Sequence, residues 1–573
     1  LWGKKILKYT NKKVKTLKSS VTQLQAIVNY IDDYCSRKDI EKLPGICLPS
    51  LKDKISTDEL PYNVENETGI CVPIGIYDDP EQQRQGTVAL EMSKDNVYIV
   101  GSAQMGKTVM LQTMVYGLIR KYTPQQVNIY LIDCGSMVLK IFEDSAHVGG
   151  IVLSNEEEKC KNLFKLLNSF VIERKKMLSG KGIGNYSAYI EAGYTNMPMV
   201  VVVIDNMAAF KEYFPNQAED INTLAREARG VGISFVITAA TSNSLNYRTQ
   251  ANFGRKLVLN CNDTNEYSAM FGHCKVTPKE NAGRGLYMRD KRILEYQTAI
   301  FGRSDKEADR SQELKEFIVE RNRQCTALAI KIPMIPERLL LSEVMSANAS
   351  MFRSRGVLQI GMDFNTVELT SINLSVNHTL TLLGDVESKD RFISNFIRMI
   401  SQTAVFHDLE AVVVDDKVGK LEECEKYGFV RKYTATSTEG LSMIADFCDD
   451  AQQRLKYDSR NDSYTMLVIN NTDVFKRICA DKNESRRLAE TVKNANETGA
   501  FILFASVDNQ PVGFNSSEIL KVLKEERQAI LFAQLTDCKM FDISGRIKPD
   551  TSFNNTMGYR FNGSTYSKIK IFD

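Results

Sequence analysis

Short apolar runs alternate with polar, helix-length stretches along most of the chain. "NVYIV" (96–100), "QVNIYLIDC" (126–134), "PMVVVVIDN" (198–206) and "GISFVITAA" (232–240) are strand-sized. Such continuous apolar runs, separated by segments long enough for helices, predict a mostly parallel sheet covered on both faces. The same order then recurs. "VPIGIYDD" (72–79) matches "LQIGMDFN" (358–365), and the 96–115 stretch matches "NHTLTLLGDVESKDRFISNFI" (377–397). "DLEAVVVDD" (408–416), "SYTMLVINN" (463–471) and "GAFILFAS" (499–506) match the remaining runs in order.

The spacings support a duplication. Gly384 minus Gly101 is 283, Asp415 minus Asp133 is 282, Asn470 minus Asp205 is 265 and Gly499 minus Gly232 is 267. A shorter middle segment in the second copy accounts for the drift. The fold class expected is α/β, with two tandem P-loop (RecA/FtsK-like) domains at 72–325 and 330–573. A helical lead-in or linker, 1–71, precedes them. In it, Leu24, Ile27, Val28 and Ile31 recur at helical spacing. Seven lysines crowd the first eighteen residues, as a solvated lead-in or as a basic arm for a membrane or nucleic acid.

Composition narrows the classes. The 573 residues carry 73 Lys plus Arg against 71 Asp plus Glu, a net +2. A protein that coats nucleic acid usually shows a strong basic excess. The twelve cysteines are scattered singly, as free thiols of a reducing compartment are. Four histidines argue against a His-rich metal site. No apolar run approaches the roughly 18 residues of a membrane span, and no signal peptide is expected in this stretch. The chain begins at Leu1 and is expected to be a piece of a longer protein.

"GSAQMGKT" (101–108) fits the P-loop pattern in full, between a strand and a helix. Gly101, Ser102, Ala103, Gln104, Met105 and Gly106 would wrap a phosphate chain with backbone amides, Lys107 would reach the β- and γ-phosphates, and Thr108 would ligate Mg²⁺. Asp205, at the tip of "VVVVID", would hold the ion through water; an ordinary strand-end turn residue is the lesser alternative, given the loop upstream. ATP and Mg²⁺ are the cofactors implied. Asn206 sits where such ATPases often carry a Glu that polarises water, and an amide cannot take that proton. Thr238 is either a γ-phosphate sensor or a structural strand residue. Arg226, Arg229 and Arg248 are candidates to reach a neighbouring subunit's nucleotide, or plain surface salt-bridge residues.

In the second copy, "GDVESKDR" (384–391) keeps only Gly384. Aligned without gaps, Lys389 falls at the second glycine, Asp390 at the lysine and Arg391 at the threonine. If one residue is deleted, Lys389 is the old lysine. Asp385, Glu387 and Asp390 would repel phosphates. The strand ends in "INN", with Asp473 displaced beyond it. A retained scaffold serving as a docking surface is the expectation.

These segments, with "LIDCGSMVLKIFEDSAHVGGIV" (131–152) and "NAGRGLYMR" (281–289), resemble the FtsK/SpoIIIE-type ATPases of type VII secretion. They are nearer the EssC form of Firmicutes than EccC. The resemblance covers nearly the whole chain and makes the two copies the second and third ATPase modules. It implies a membrane-anchored protein at the cytoplasmic face of the cell membrane that exports WXG-type helical-hairpin proteins. The implied partners are those substrates, docking on the last module, other secretion-system membrane components, and further copies of the chain in a homo-oligomer. By matching positions, Gly101–Thr108 and Asp205 carry over as nucleotide and Mg²⁺ contacts. Two activities stay open: slow or conditional hydrolysis, and nucleotide gating of a receptor without turnover. An FtsK-like DNA translocase is a third reading, disfavoured by the neutral charge.

Overall fold

The computed structural model describes residues 20–40, 48–61, 63, 69–302, 304, 306–354, 356–403, 409–416, 418–456, 464–543 and 547–573. The lysine-rich stretch 1–18 lies outside them. The chain forms two compact units, Leu1–Ile332 and Pro333–Asp573.

The first unit's strands are β1 (Ile55–Ser56), β2 (Cys71–Asp79), β3 (Arg84–Glu91), β4 (Val97–Val100), β5 (Val127–Asp133), β6 (Val148–Leu153), β7 (Met199–Asp205), β8 (Ile233–Ala239), β9 (Arg255–Leu259), β10 (Arg284–Arg289) and β11 (Arg292–Ile300). They form one sheet in the order β3-β2-β11-β10-β9-β4-β8-β7-β5-β6. The run from β9 to β6 is parallel. The wing from β3 to β10 is antiparallel. β4, β5, β7 and β8 are buried at every residue. Strands covered on both faces require this, and it is why they read as unbroken apolar runs.

The second unit repeats this plan with β12 (Val357–Asp363), β13 (Leu369–Asn373), β14 (Thr379–Gly384), β15 (Leu409–Val414), β16 (Val430–Thr434), β17 (Tyr464–Ile469), β18 (Ala500–Phe504), β19 (Gln528–Phe532), β20 (Met557–Asn562) and β21 (Thr565–Lys570). Its order, β13-β12-β21-β20-β19-β14-β18-β17-β15-β16, is the first unit's order strand for strand.

In the first unit the chain runs from β4 outward to β5 and β6, then returns through β7 and β8 to β9. Right-handed crossovers put helices from opposite runs on opposite faces. The crevice where the two runs part lies at the carboxyl ends of β4, β7 and β8, the usual binding position in open α/β sheets.

The units' edges differ from the expected boundaries. Residues 51–60 belong to the first unit, since β1 pairs with β11 at Ile55–Ala299 and Ile55 and Leu60 are buried beside Ala299. At the other end, the Ala329 amide donates to Ala146 O (2.7 Å) and the Ile332 amide to Gly149 O (3.0 Å). A Cβ on Gly149 would lie 2.4 Å from Ile330 O, so the glycines of "HVGG" admit this returning segment. The lead-in helix forms at Gln23–Arg37, capped by Thr22, and buries none of its residues. Its stripe of Leu24, Ile27, Val28 and Ile31 is exposed.

Candidate functional site

The loop 101–106 joins β4 to the helix Lys107–Lys121 and is held by bonds from neighbouring strands and loops. The Gly101 amide donates to Ala239 O (3.1 Å), the Ser102 amide to Asn260 O (2.9 Å) and the Gly283 amide to Met105 O (3.0 Å). The Asn262 amide donates to Ser102 Oγ (2.9 Å). Gly106 has φ +94°, and a Cβ there would stand 3.0 Å from Gly283 N. Only glycine suits both the left-handed backbone and the close approach. The helix's first internal bond runs from the Met110 amide to Gly106 O (2.9 Å). The amides of Lys107, Thr108 and Val109 are therefore its N-terminal donors, where the helix dipole favours an anion.

The Lys107 ammonium donates to Gly101 O (2.7 Å) and Ser102 O (2.8 Å). Burial pushes its pKa below the usual lysine range, opposed by the Asp205 carboxylate. Asp205 ends β7 and is 4% exposed. Its Oδ2 accepts from Thr108 Oγ1 (3.0 Å) and its Oδ1 from Thr238 Oγ1 (2.5 Å). Burial raises the Asp205 pKa, and the two hydroxyls counter this in part. Thr238 also accepts from the Asn206 amide (2.9 Å). Its hydroxyl thus fixes the carboxylate and the turn beyond β7.

Asn206 has φ +68° and caps the helix Met207–Tyr213, its Oδ1 accepting from the Ala209 amide (3.3 Å). A short polar side chain that tolerates left-handed backbone suits that place. Arg226 and Arg229 precede β8, and so stand at the amino ends of the parallel strands, away from the loop. Arg226 pairs with Glu227 (3.3 Å). Arg248 is exposed on the short helix Tyr247–Gln250. The structure gathers the loop, Lys107, Thr108, Asp205 and Thr238, and leaves the three arginines apart from them.

Amides at a helix start, a glycine cradle with no room for a side chain, a lysine, and a hydroxyl–carboxylate pair fit a triphosphate chain with a magnesium ion.

In the second unit the loop is gone. β14 ends at Gly384, Asp385 caps, and the helix Val386–Gln402 begins at once. Asp385 Oδ2 accepts from the Ser388 amide (2.8 Å) and hydroxyl (2.7 Å), so a carboxylate covers the helix start. The ungapped alignment is corrected here. Lys389, not Asp390, stands in the lysine's place, its ammonium donating to Ala505 O (2.9 Å). Asp390 stands in that of Thr108, facing the strand-end residue Asn470 (Nδ2 to Oδ1, 3.4 Å). Each lies 282 residues beyond its counterpart, as 389 minus 107 and 390 minus 108 show. One residue is missing between Gly384 and Lys389, and 386–388, which precede that lysine, are wound into the helix instead of forming a loop.

Asp390 does not confront a phosphate site, because neighbouring side chains take up its charge. Its Oδ2 accepts from the Lys420 ammonium (2.7 Å). Asn470 Nδ2 also donates to Asp415 Oδ1 (3.0 Å), whose Oδ2 accepts from the Leu421 amide (2.8 Å) and Tyr433 hydroxyl (3.1 Å). Burial raises the Tyr433 pKa, with Asp415 adding to the rise. Asp473, displaced along the sequence, lies in the first turn of the helix Thr472–Ala480. Sequence reasoning passed over Lys420, Tyr433 and, in the first unit, Asn260 and Gly283. Lys420 and Tyr433 lie in segments with no counterpart motif, whereas Gly283 sits in a stretch noted only for resemblance.

Residues 65–250 match the FtsK/SpoIIIE family model. The chain is 21% identical over 575 residues to the type VII secretion system protein EssC of Staphylococcus aureus strain MRSA252, covering 97% of this chain and 38% of that protein. It is 24% identical over 573 residues to the ESX secretion system protein EccC of Geobacillus thermodenitrificans, covering 96% and 37%. The chain thus spans well under half the length of these relatives. Among solved structures, EssC (ATPases 2 and 3) from G. thermodenitrificans superposes with a TM-score of 0.76 at 21% identity, covering 92% of this chain and 100% of that one. Thermomonospora curvata EccC (ATPases 2 and 3) in complex with a signal sequence peptide gives 0.60 at 19%, covering 92% and 97%. Residues 65–250 thus match the FtsK/SpoIIIE family, and nearly the whole chain is similar to EssC and EccC proteins of type VII secretion systems.

Proposed function

We propose that this chain is the tandem-ATPase portion of a type VII secretion ATPase that binds Mg-ATP at one site, in the first unit. One observation carries the reading. The same strand order holds Lys107, Thr108 and Asp205 around an open-amide loop in one unit, and a closed Asp390–Lys420–Asn470 cluster in the other. In the first unit, loop amides and Lys107 would hold the phosphates, and Thr108 and Asp205 the magnesium ion. Bound magnesium would neutralise charge developing on the phosphoryl oxygens. Lys107 would do the same from the other side, while Thr238 keeps Asp205 oriented. Asn206 is a helix cap and supplies no base, so turnover in the isolated chain is slow.

The second unit serves as a docking scaffold for exported substrates, small helical-hairpin proteins of the WXG kind and their partners. That the T. curvata EccC structure of the same two ATPases holds a signal sequence peptide supports this reading. The full-length protein would be membrane-anchored, with these units on the cytoplasmic side, and would act as an oligomer. The test is Mg-ATP affinity and turnover of the purified chain beside Lys107→Ala. Binding and turnover that both depend on Lys107 support a motor. Binding without turnover supports a nucleotide-gated receptor. No binding by the unaltered chain overturns the proposal.

A further inference from the structure

The P-loop of the first unit is held from outside by a second loop, 279–284, and that loop also grips the segment 51–53. On the inner side, Gly283 donates its amide to Met105 O (3.0 Å). Asn260, whose carbonyl accepts from the Ser102 amide (2.9 Å), ties the loop's backbone together. Its Nδ2 donates to Lys279 O (2.8 Å) and Asn281 O (3.0 Å). On the outer side, Lys279 Nζ donates to both carboxylate oxygens of Asp53 (2.7 and 2.9 Å), and Asn281 Nδ2 to Asp53 O (2.9 Å). Arg284, only 3% exposed, sends one nitrogen to Leu51 O (3.1 Å), Lys52 O (3.0 Å) and Asp53 Oδ1 (3.1 Å). Its Nε donates to Gln297 Oε1 (2.9 Å). Gln297 Nε2 donates back to Ala282 O (3.0 Å), and the Thr298 amide to Gly283 O (2.8 Å).

A guanidinium buried to this degree stays only where its donors are met, and two of its acceptors are the carbonyls of Leu51 and Lys52. The second unit supplies the contrast. Val100 and Leu383 each precede the first glycine and pair with Val258 and Leu531, which pair with Leu286 and Tyr559. Two residues before these, β10 opens with Arg284 and β20 with Met557. The unit without a phosphate loop therefore has a thioether where the unit with one has the guanidinium.

We propose that Asp53, Lys279 and Arg284 form a latch through which segment 51–53 sets the position of the P-loop. The segment that enters this unit thereby controls nucleotide affinity, with Arg284 as the positioning residue. This rests on the nucleotide reading of the loop. A pull on 51–53 withdraws Asp53 and two carbonyls from Arg284, frees Gly283, and loosens the Met105 turn whose amides would meet phosphate.

The test compares the unaltered chain, Asp53→Ala, Asp53→Glu and Lys107→Ala by two readouts. The first is amide hydrogen exchange of the nucleotide-free protein. Asp53→Ala is expected to speed exchange at 102–106 and Gly283 while leaving Val97–Val100 unchanged, with Asp53→Glu in between. The second is Mg-ATP affinity by fluorescent-nucleotide titration, expected to fall about tenfold in Asp53→Ala, or about 1.4 kcal/mol, with the thermal midpoint kept. Unchanged exchange at 102–106 overturns the latch whether or not nucleotide binds. Faster exchange with unchanged affinity overturns its control of nucleotide. If the unaltered chain binds no better than Lys107→Ala, the nucleotide reading falls, and exchange alone decides whether the strap moves the loop.

Discussion

The Thr108 hydroxyl donates to the Asp205 carboxylate across 3.0 Å, and in the second unit the same two places belong to Asp390 and Asn470. The charge has moved from strand tip to helix. In the first arrangement a buried carboxylate accepts from two hydroxyls, those of Thr108 and Thr238. In the second, an amide and an ammonium have already taken up the carboxylate.

Replacing Asp205 by Asn imports the second unit's solution. Burial raises the Asp205 pKa, so its folded form is penalised when ionised. The stability attached to a raised carboxylate pKa is present below the unfolded value, near 4, and is lost as pH rises through the folded value. Asp205→Asn is therefore expected to raise the nucleotide-free thermal midpoint at pH 7, with the gain shrinking on acidification. Magnesium-dependent nucleotide stabilisation should vanish. Thermal unfolding from pH 4 to 8, with and without Mg-ATP, checks both.

Lys107 and Lys389 occupy equivalent places with unequal prospects. Lys107→Ala should lower turnover by about 10²–10³-fold, the usual cost of losing one preorganised transition-state donor. Lys389→Ala should leave nucleotide binding and turnover as they were. Parallel titrations of the two variants decide it, and an equal loss in both would refute the one-site reading.

Asn206→Glu tests whether a missing base limits turnover. Asn206 is spent on left-handed backbone and a helix cap. Glutamate there loses the cap, at about 1 kcal/mol, and lacks asparagine's tolerance of left-handed backbone. The variant should unfold earlier and hydrolyse no faster. A rise in kcat would show that the side chain can swing free to serve as base.

Gly106→Ala places a Cβ 3.0 Å from Gly283 N on a residue at φ +94°. A cost of about 1–2 kcal/mol is expected, with loss of nucleotide binding well beyond it. Denaturant titration gives the first figure and nucleotide titration the second.

Restoring the side chains of the second site should not restore binding. Asp390→Thr with Asn470→Asp recreates the hydroxyl–carboxylate pair, yet between β14 and its helix stands only Asp385, bonded to Ser388. The Ser388 amide is taken by that carboxylate, which would also repel a phosphate at the helix start. Calorimetry with Mg-ATP is expected to show no added site.

The sheet was legible because strands buried on both faces have to be apolar throughout, as β5 and β7 are. The duplication was legible because spacing between strands survives when side chains change. The first loop was legible from its glycines, and Gly106, at φ +94° with Gly283 N 3.0 Å from where a Cβ would be, shows the backbone reason for one of them. The second site was left with two alignments, because a deletion inside a ruined loop leaves no motif to count from. Only the pairing of Asp390 with Asn470 restores the frame. Lys420 and Tyr433 went unnoticed since each reaches the cluster from a separate loop or strand, and no spacing links them. The grip of Arg284 on 51–53 spans more than two hundred residues of sequence, beyond any local pattern.

The lysine-filled cluster of the second unit bears on timing. On the one-site reading, Lys420, bonded to Asp390 at 2.7 Å, takes the place of an exchangeable cation, and that half of the chain is expected to have no fuel-dependent cycle. A chain with one seat that empties and one that never does keeps a single clock, and saturating nucleotide should count one per chain.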